Sequence, residues 1–389
     1  MQTLIATAAI IDNTHILKPA VIQIDKGIIV NITDRIPNKA ANITRLEDTI
    51  LLPGFVNAHA HLELTDIGPL TAHEFVPWIM ELNQHKRRQT DRDIAQSVQN
   101  GFLAMQESGV TTVVDHISFN TNLAVFNQSP LNVYGFGEVV GSKKAVSEEL
   151  YKAQTLQKQK AKFPFQLSPH AVHTVDESML AHIFANHEPP YSIHLAEYQA
   201  EQDYFATHQG AFVDFISALY PELKNTIRHN ATSAIKYLDQ NGLHLKDSLI
   251  IHGNYLNEED INIMSRCKGN TVVHCPGSFD FFNHKVFPYH ELCQHKIPVA
   301  LGTDSIASNT CLNFLHEIKL FLKEFPHTTL FELLPLITTN ACQTLKLDKC
   351  GQISTGYKAH IVGFDNFRPS DDILNLFSSR SHVDHWMMA

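Results

Sequence analysis

The chain has 389 residues, 44% of them hydrophobic and 18% charged, with a formal net charge of −10. That composition excludes a disordered chain, and without any Lys/Arg run it excludes a protein that tracks nucleic acid by a broad basic face. No stretch reaches the roughly 18 apolar residues of a membrane span, so no membrane partner is expected.

From the N-terminus, Met1 to Asp12 lacks a basic leader and a cleavage site, and reads as a strand of the mature fold, not a signal peptide. Apolar runs at Thr3–Ile11, Ala20–Ile24, Ile28–Ile32 and Thr49–Leu52 form a small β unit, with Asp25-Lys26-Gly27 as a hairpin turn. Pro53-Gly54 then breaks the pattern.

Beyond Phe55, strand-like runs alternate with helical stretches. The strands are Phe55–Ala58, Thr111–Asp115, Asn132–Phe136, Phe165–Ser168, Tyr191–His194, Leu249–His252, Thr271–His274 and Pro298–Gly302. Between them the pattern predicts helices over Asp91–Glu107, Val146–Lys160, Asp176–Asn186, Phe212–Leu219, Glu258–Lys268 and Leu312–Lys323, the third opened by a capping box at Thr174-x-x-Glu177. Eight strands with intervening helices fit an α/β architecture, a (β/α)8 TIM barrel, better than an open sheet. A last β run, Ala359–Phe364, would pair with the N-terminal strands. Six cysteines in the C-terminal third (Cys267, Cys275, Cys293, Cys311, Cys342 and Cys350) form no C-x-x-C pair; they read as buried, reduced thiols of a cytoplasmic protein.

Histidine is abundant, at 24 residues, and its placement is informative. In a barrel the C-terminal strand ends converge on one face, where active sites are built. Here Phe55–Ala58 runs into His59-Ala60-His61, whose alternate side chains project together as two ligands of one ion require. Tyr191–Ile193 ends in His194, with Glu197 three residues on; Leu249–Ile251 ends in His252; Thr271–Val273 ends in His274; and Val299–Thr303 ends in Asp304. One such ending is readily accidental: an H-x-H pair in a histidine-rich chain, a core histidine, or an aspartate that caps a turn. Five at matching topological positions are not.

These endings carry a resemblance. Leu52-Pro53-Gly54-Phe55-Val56-Asn57-Ala58-His59-Ala60-His61-Leu62-Glu63 resembles the signature of the amidohydrolase superfamily. Ser168-Pro169-His170-Ala171, His194-Leu195-Ala196-Glu197, Ile251-His252-Gly253, Val273-His274-Cys275-Pro276-Gly277-Ser278 and Gly302-Thr303-Asp304-Ser305-x-Ala307-Ser308-Asn309 follow in the family's order. The last resembles the branch of cytosine, guanine and adenosine-type deaminases and triazine chlorohydrolases. The tail Gly351…Gly356-Tyr357-Lys358-Ala359-His360 is similar to the family's ending, with His360 where an aspartate is usual.

The resemblance implies a barrel of residues 55–355 flanked by a β-sandwich assembled from residues 1–54 and 356–389. It implies one divalent metal ion, zinc or alternatively iron, held by His59, His61, His194 and Asp304. The fourth strand ends in Ser168-Pro169-His170 and offers no bridging lysine, so a single ion is expected. Such a site leaves an open position for water. Glu197, His252 and Asp304 are then the catalytic set: Asp304 accepts the water's proton, His252 orients the hydroxide, and Glu197 protonates a ring nitrogen and then the departing ammonia. Trp78 of Phe75-x-x-Trp78-Ile79, Glu138 of Gly137-Glu138-Val139 and His170 are candidate substrate contacts. With the Gly302–Asn309 segment, these pieces resemble bacterial aminofutalosine deaminases. The expected function is therefore release of ammonia from an aminopurine nucleoside or a related aromatic amine. A chlorohydrolase or amide hydrolase would use the same ligands, and a non-catalytic homologue would be expected to have lost one of them. The partner is a small molecule, and the resemblance also allows a homodimer.

Overall fold

The computed structural model describes residues 1–37, 42–219 and 231–388. The N-terminal unit supplies β1 (Gln2–Ile11), β2 (His15–Leu17), β3 (Ala20–Asp25), β4 (Ile28–Thr33) and β5 (Ile43–Pro53). Lys26 and Gly27, both at positive φ (47° and 78°), make the tight turn between β3 and β4.

The chain then enters the barrel with β6 (Phe55–Ala60), β7 (Val110–Ile117), β8 (Asn132–Val139), β9 (Phe165–Pro169), β10 (Ser192–Leu195), β11 (Leu249–His252), β12 (Thr271–His274) and β13 (Val299–Leu301). It returns to the first sheet as β14 (Ile361–Phe364) and β15 (His385–Met387). Both ends of the chain thus meet in one seven-stranded sheet, ordered β15-β14-β5-β1-β3-β4 with β2 beside β1. Bulges between Ala6 and Ala8 and between Gln23 and Ile24 interrupt its register, and it encloses a core of its own that includes Leu4, Ile22, Ile29, Leu51 and Ile361. Gly54 joins sheet to barrel: a Cβ there would lie 2.3 Å from Thr111 Cγ2, so only glycine lets the chain pass β7.

The barrel strands are parallel and pair as β6-β7-β8-β9 and β10-β11-β12-β13. Runs such as Leu249–Ile251 and Thr271–Val273 are buried on both faces, as helix-covered parallel strands must be. Two seams close the cylinder. Ala171 bridges to His194 on one side and Ala60 to Asp304 on the other.

The helix Asp91–Glu107 forms where expected and is opened by a capping box between Thr90 and Asp93. The box expected at Thr174 and Glu177 is absent. Asp176 caps the helix Glu177–Asn186 by accepting from the Ser178 and Met179 amides, because the Thr174 hydroxyl is engaged with His170 Nδ1 at 2.9 Å. Among the described residues, no helix is long and apolar enough to cross a membrane. Of the six cysteines, all free, only Cys275 and Cys342 are buried; Cys293 is exposed and the others are intermediate, so the expectation of six buried thiols is corrected.

Candidate metal centre and active site

Three strand endings at the open face of the barrel are bent into the left-handed region: Ala196 (φ 52°), His252 (φ 67°) and Asp304 (φ 54°). Each costs roughly 1–2 kcal/mol for a residue other than glycine, and such strain gathers where the surrounding structure imposes a functional geometry.

The seams assemble the centre. At one, the His59 carbonyl accepts from the Thr303 and Asp304 amides (3.0 and 3.1 Å). This brings Asp304 Oδ1 to 3.3 Å from His59 Nε2 and 3.6 Å from His61 Nε2. At the other, the His194 amide donates to the His170 carbonyl (2.9 Å), and His194 Nδ1 donates to the same oxygen at 3.0 Å. That bond fixes the tautomer and leaves the Nε2 lone pair available.

Candidate ligand nitrogens of His59, His61 and His194, with one from His116, lie within 4.8 Å of one another; His59, His252 and Asp304 form a second such group, and Glu138, His170 and His194 a third. His59 is fully buried; its Nδ1 has no hydrogen-bond partner, and its Nε2 faces only the Asp304 carboxylate at 3.3 Å. Leaving a buried imidazole unsatisfied is expensive. Three imidazoles and one carboxylate form a donor set that fits a divalent ion, which would relieve that cost.

Burial pushes the imidazoles toward the neutral state that ligation needs. His59 lies well below its usual range, through burial and then the neighbouring His116. His194 does likewise, through burial and His170; His61 is lowered by burial, and His252 falls to about 3 by the same cause. Burial would raise Asp304, but the surrounding histidines hold it well below the usual carboxylate range. Glu197 goes the other way, well above its usual range, through burial and then the Asp304 charge. Two carboxyl groups in one pocket are thus driven apart, the arrangement that separates a proton acceptor from a proton donor.

Glu197 Oε1 lies 3.2 Å from His252 Nε2. Its aim is set from below: Glu201, buried in the helix Gln199–Ala206, accepts from the Ala196 amide (3.1 Å) and the Glu197 amide (2.9 Å). Asp304 is braced similarly. Ser308 Oγ donates to Asp304 Oδ2 at 2.6 Å; Asn57 holds Thr303 through Nδ2–H to Oγ1 (2.9 Å) and Oδ1 from the amide (3.1 Å). Asn309 Nδ2 bonds both the Thr303 carbonyl (3.1 Å) and buried Glu317 (2.7 Å).

The structure therefore brings His59, His61, His194, Asp304, His252 and Glu197 together. Glu138 and His170 stand at the same mouth. Glu138 Oε1 accepts from His116 Nδ1 at 2.9 Å, and His170 stacks on His194 with ring centroids 4.6 Å apart. Against the tendency of burial, His170 and His116 hold Glu138 well below its usual range. Trp78 is buried in an apolar cluster with Leu82, Tyr198, Phe281 and Phe282, and its Nε1–H donates to the Ala307 carbonyl at 2.9 Å. It packs the loop that carries Asp304.

The sequence reading passed over His116 and Glu201. His116 had a signal: β7 continues past Asp115, so His116 is another histidine near a strand end. Its nitrogens are both engaged, by Glu138 and by Ser192 Oγ (2.7 Å), which makes it a support for Glu138. Glu201 had none, since a glutamate four residues after another is the ordinary pattern of an exposed helix.

Comparison with known proteins agrees with this fold. The chain is 26% identical over 375 residues to an aminodeoxyfutalosine deaminase of a Nitratiruptor species, covering 92% of this chain and 90% of that protein. It is 28% identical over 371 residues to a 5-methylthioadenosine/S-adenosylhomocysteine deaminase of Pyrococcus furiosus, covering 90% and 82%. Its fold matches the crystal structure of Helicobacter pylori aminofutalosine deaminase in complex with methylthio-coformycin with a TM-score of 0.85, over 100% of this chain and 98% of that one, at 21% identity. Residues 50–387 match the model of the Amidohydrolase family, a span that takes in the barrel and the strands closing the terminal sheet. By that match, and with a histidine cluster where the barrel strands end, the chain belongs to the amidohydrolase family.

Proposed function

We propose that this protein is a metal-dependent deaminase that hydrolyses the exocyclic C–N bond of an adenine-type nucleoside, with aminofutalosine the favoured substrate. The observation that carries the reading is the Glu197 carboxyl: half-buried at the mouth of the barrel, held toward its protonated form and 3.2 Å from His252 beside the histidine cluster. Expelling an amine from an aromatic carbon needs a proton on the ring nitrogen first and on the leaving nitrogen second. A carboxyl held in its protonated form beside the reacting carbon is suited to supply both. The relatives named as deaminases of aminodeoxyfutalosine and of methylthioadenosine support the same class.

His59, His61, His194 and Asp304 would hold the ion, zinc in preference to iron. When bound, that ion would supply a water acidified toward a pKa of ~7. Asp304 takes the proton of the attacking water, using a carboxylate that the adjacent histidines keep ionised. His252, neutral and fixed at the end of β11, holds the water in line by a hydrogen bond. Glu197 delivers its proton to the purine ring nitrogen, regains one from Asp304 and passes it to the departing ammonia. Glu138, with one oxygen committed to His116, keeps the other for a sugar hydroxyl. His170 lies against the bound ring, and Trp78 keeps the Asp304 loop in place.

The test is ammonia release by metal-replete protein from aminofutalosine, methylthioadenosine, adenosine, guanine and cytosine, with Glu197→Gln as control. Release from one adenine nucleoside, reduced by at least about 10²-fold in the variant, supports the reading. No release from any of them, with about one ion per chain confirmed, overturns it and turns the search to halide or amide hydrolysis.

A further inference from the structure

The helix Lys144–Lys160, packed against β8 and β9, buries an unusual set of residues. A helix that covers a barrel ordinarily presents an apolar stripe, yet the buried residues of this one are Ser147, Gln154 and Gln157. Gln154 is fully buried. Its Nε2 group donates to the Ile117 carbonyl at 2.7 Å and to the Glu138 carbonyl at 3.2 Å. Gln157 behaves likewise three residues on, donating to the Ser118 carbonyl at 3.1 Å and to the Phe119 carbonyl. Two carbonyls that converge on one side-chain amide can accept only from its NH2 end, so the partners themselves set the orientation of each glutamine.

Gln154 stands where the strand ladder stops. The β7–β8 pairing ends with Ile117 opposite Gly137, and the Gln154 amide clips the two strands together just beyond it. Gly137 makes the room: a Cβ there would lie 2.6 Å from Gln154 Oε1. The clip is held at a cost, because Gln154 Oε1 is buried without a hydrogen-bond partner. Ile117 follows His116, whose Nδ1 donates to Glu138 Oε1 at 2.9 Å. Glu138 is therefore fixed through its side chain by His116 and through its main chain by Gln154.

We propose that Gln154 is a positioning residue for nucleoside recognition: by holding the Glu138 carbonyl it aims the free carboxylate oxygen of Glu138 at a sugar hydroxyl, and so makes the site select a ribonucleoside over its deoxy counterpart. This role rests on the deaminase reading above, in which Glu138 keeps that oxygen for the sugar. The selectivity comes from a charged acceptor. A hydrogen bond to a carboxylate is stronger than a neutral one, and an analogue without the hydroxyl leaves that oxygen unpaired. Such a bond depends on aim. Without Gln154 the Ile117 and Glu138 carbonyls lose their shared donor, and the end of β8 is free to shift. Gln157 provides the contrast, because its two acceptors lie in the segment that follows β7 and not in β8.

The experiment measures ammonia release by the metal-replete protein from adenosine, 2′-deoxyadenosine and 3′-deoxyadenosine, each used as a competitor of the nucleoside that is turned over where it is not itself a substrate. The parent should prefer adenosine to one of the deoxy analogues by about 10- to 100-fold in kcat/KM or inhibition constant. Gln154→Met, of similar length but with no donor, should cut that preference to about 3-fold or less by raising KM for adenosine about tenfold, with kcat within about twofold of the parent. Gln154→Leu gives the same comparison should the methionine variant lose its native circular dichroism. Gln157→Met should keep the parent's preference. The proposal is overturned if the parent shows no preference, if the Gln154 variants keep it, or if Gln157→Met loses it to the same extent. A parent that releases ammonia from no adenine nucleoside overturns the deaminase reading, and this role falls with it.

Discussion

Glu201→Gln separates the support of the site from its chemistry. Glu201 is 3% exposed, and each carboxylate oxygen accepts one backbone N–H, from Ala196 and from Glu197. Glutamine keeps the volume and one acceptor, but it turns an NH2 group toward the other amide. A buried donor left facing a donor costs about 1–3 kcal/mol. The chain can relieve this only by moving Ala196 and Glu197, the residues that aim the proton-carrying carboxyl. A displacement of about 1 Å at a reacting group is worth on the order of 10² in rate. We therefore expect kcat for ammonia release to fall about 10- to 100-fold while KM changes little, because no group that touches substrate has been altered. The same variant carries a signature in pH. Burial raises Glu201 from its ordinary value of 4.5 to about 7. Below 4.5 folded and unfolded chains both hold the proton; as pH rises toward 7 only the unfolded chain gives it up, so the native state loses roughly 3 kcal/mol across that window. Glutamine has no proton to lose. Denaturant unfolding at about pH 4 and about pH 8 should show the variant gaining on the parent by that amount. A variant with unchanged kcat and an unchanged pH slope would falsify the positioning role.

Two further perturbations address the frame of the site. Gly302→Ala places a methyl group 2.9 Å from His59 Cβ and 3.1 Å from the His59 amide, at the seam where His59 meets Asp304. Overpacking there costs about 1–3 kcal/mol, and the variant should bind clearly less than one ion per chain by elemental analysis while its circular dichroism stays native; full metal content would show that the seam does not set the ligand geometry. Phe55→Ala removes a fully buried ring that contacts Phe314 and Phe377 at centroid distances of 6.0 and 6.1 Å, and so unlocks the first barrel strand from the C-terminal helix. A loss of about 3–5 kcal/mol in denaturant unfolding is expected, and a loss below about 1 kcal/mol would mean that the two do not form one core.

What the sequence disclosed, and what it hid, follows from the physics of a parallel barrel. Strands buried on both faces must be nearly continuous apolar runs, so a polar residue at the end of such a run stands out; His59, His194, His252 and Asp304 are legible in this way from the order of residues alone. The helix Asp91–Glu107 was legible from its residue pattern, and the structure adds the cap at Thr90 and Asp93 that opens it. Strand β15 was not, because three partly buried residues after a polar stretch have no period to detect. The capping box drawn at Thr174 failed because tertiary contact overrode the local motif: a hydroxyl that could have capped a helix bonds His170 instead.

The supports of the site lay beyond sequence reasoning for a deeper reason. Glu201 and Glu317 act on residues brought near by folding, by accepting from main-chain groups that look the same in every sequence. Their signature is burial, which three-dimensional packing decides: Glu201 follows Glu197 at helical spacing as a surface glutamate would, yet its carboxylate lies beneath the barrel rim with two amides on it. The residues that meet a ligand are marked by type and by place along a strand. Of those that hold them in position, Glu201 and Glu317 are marked by place in space alone, and the left-handed turns at Ala196, His252 and Asp304 show how much holding is required. A substitution scheme for this protein drawn from motifs would therefore spare the ligands and break the frame, with Glu201 among the first positions to be lost.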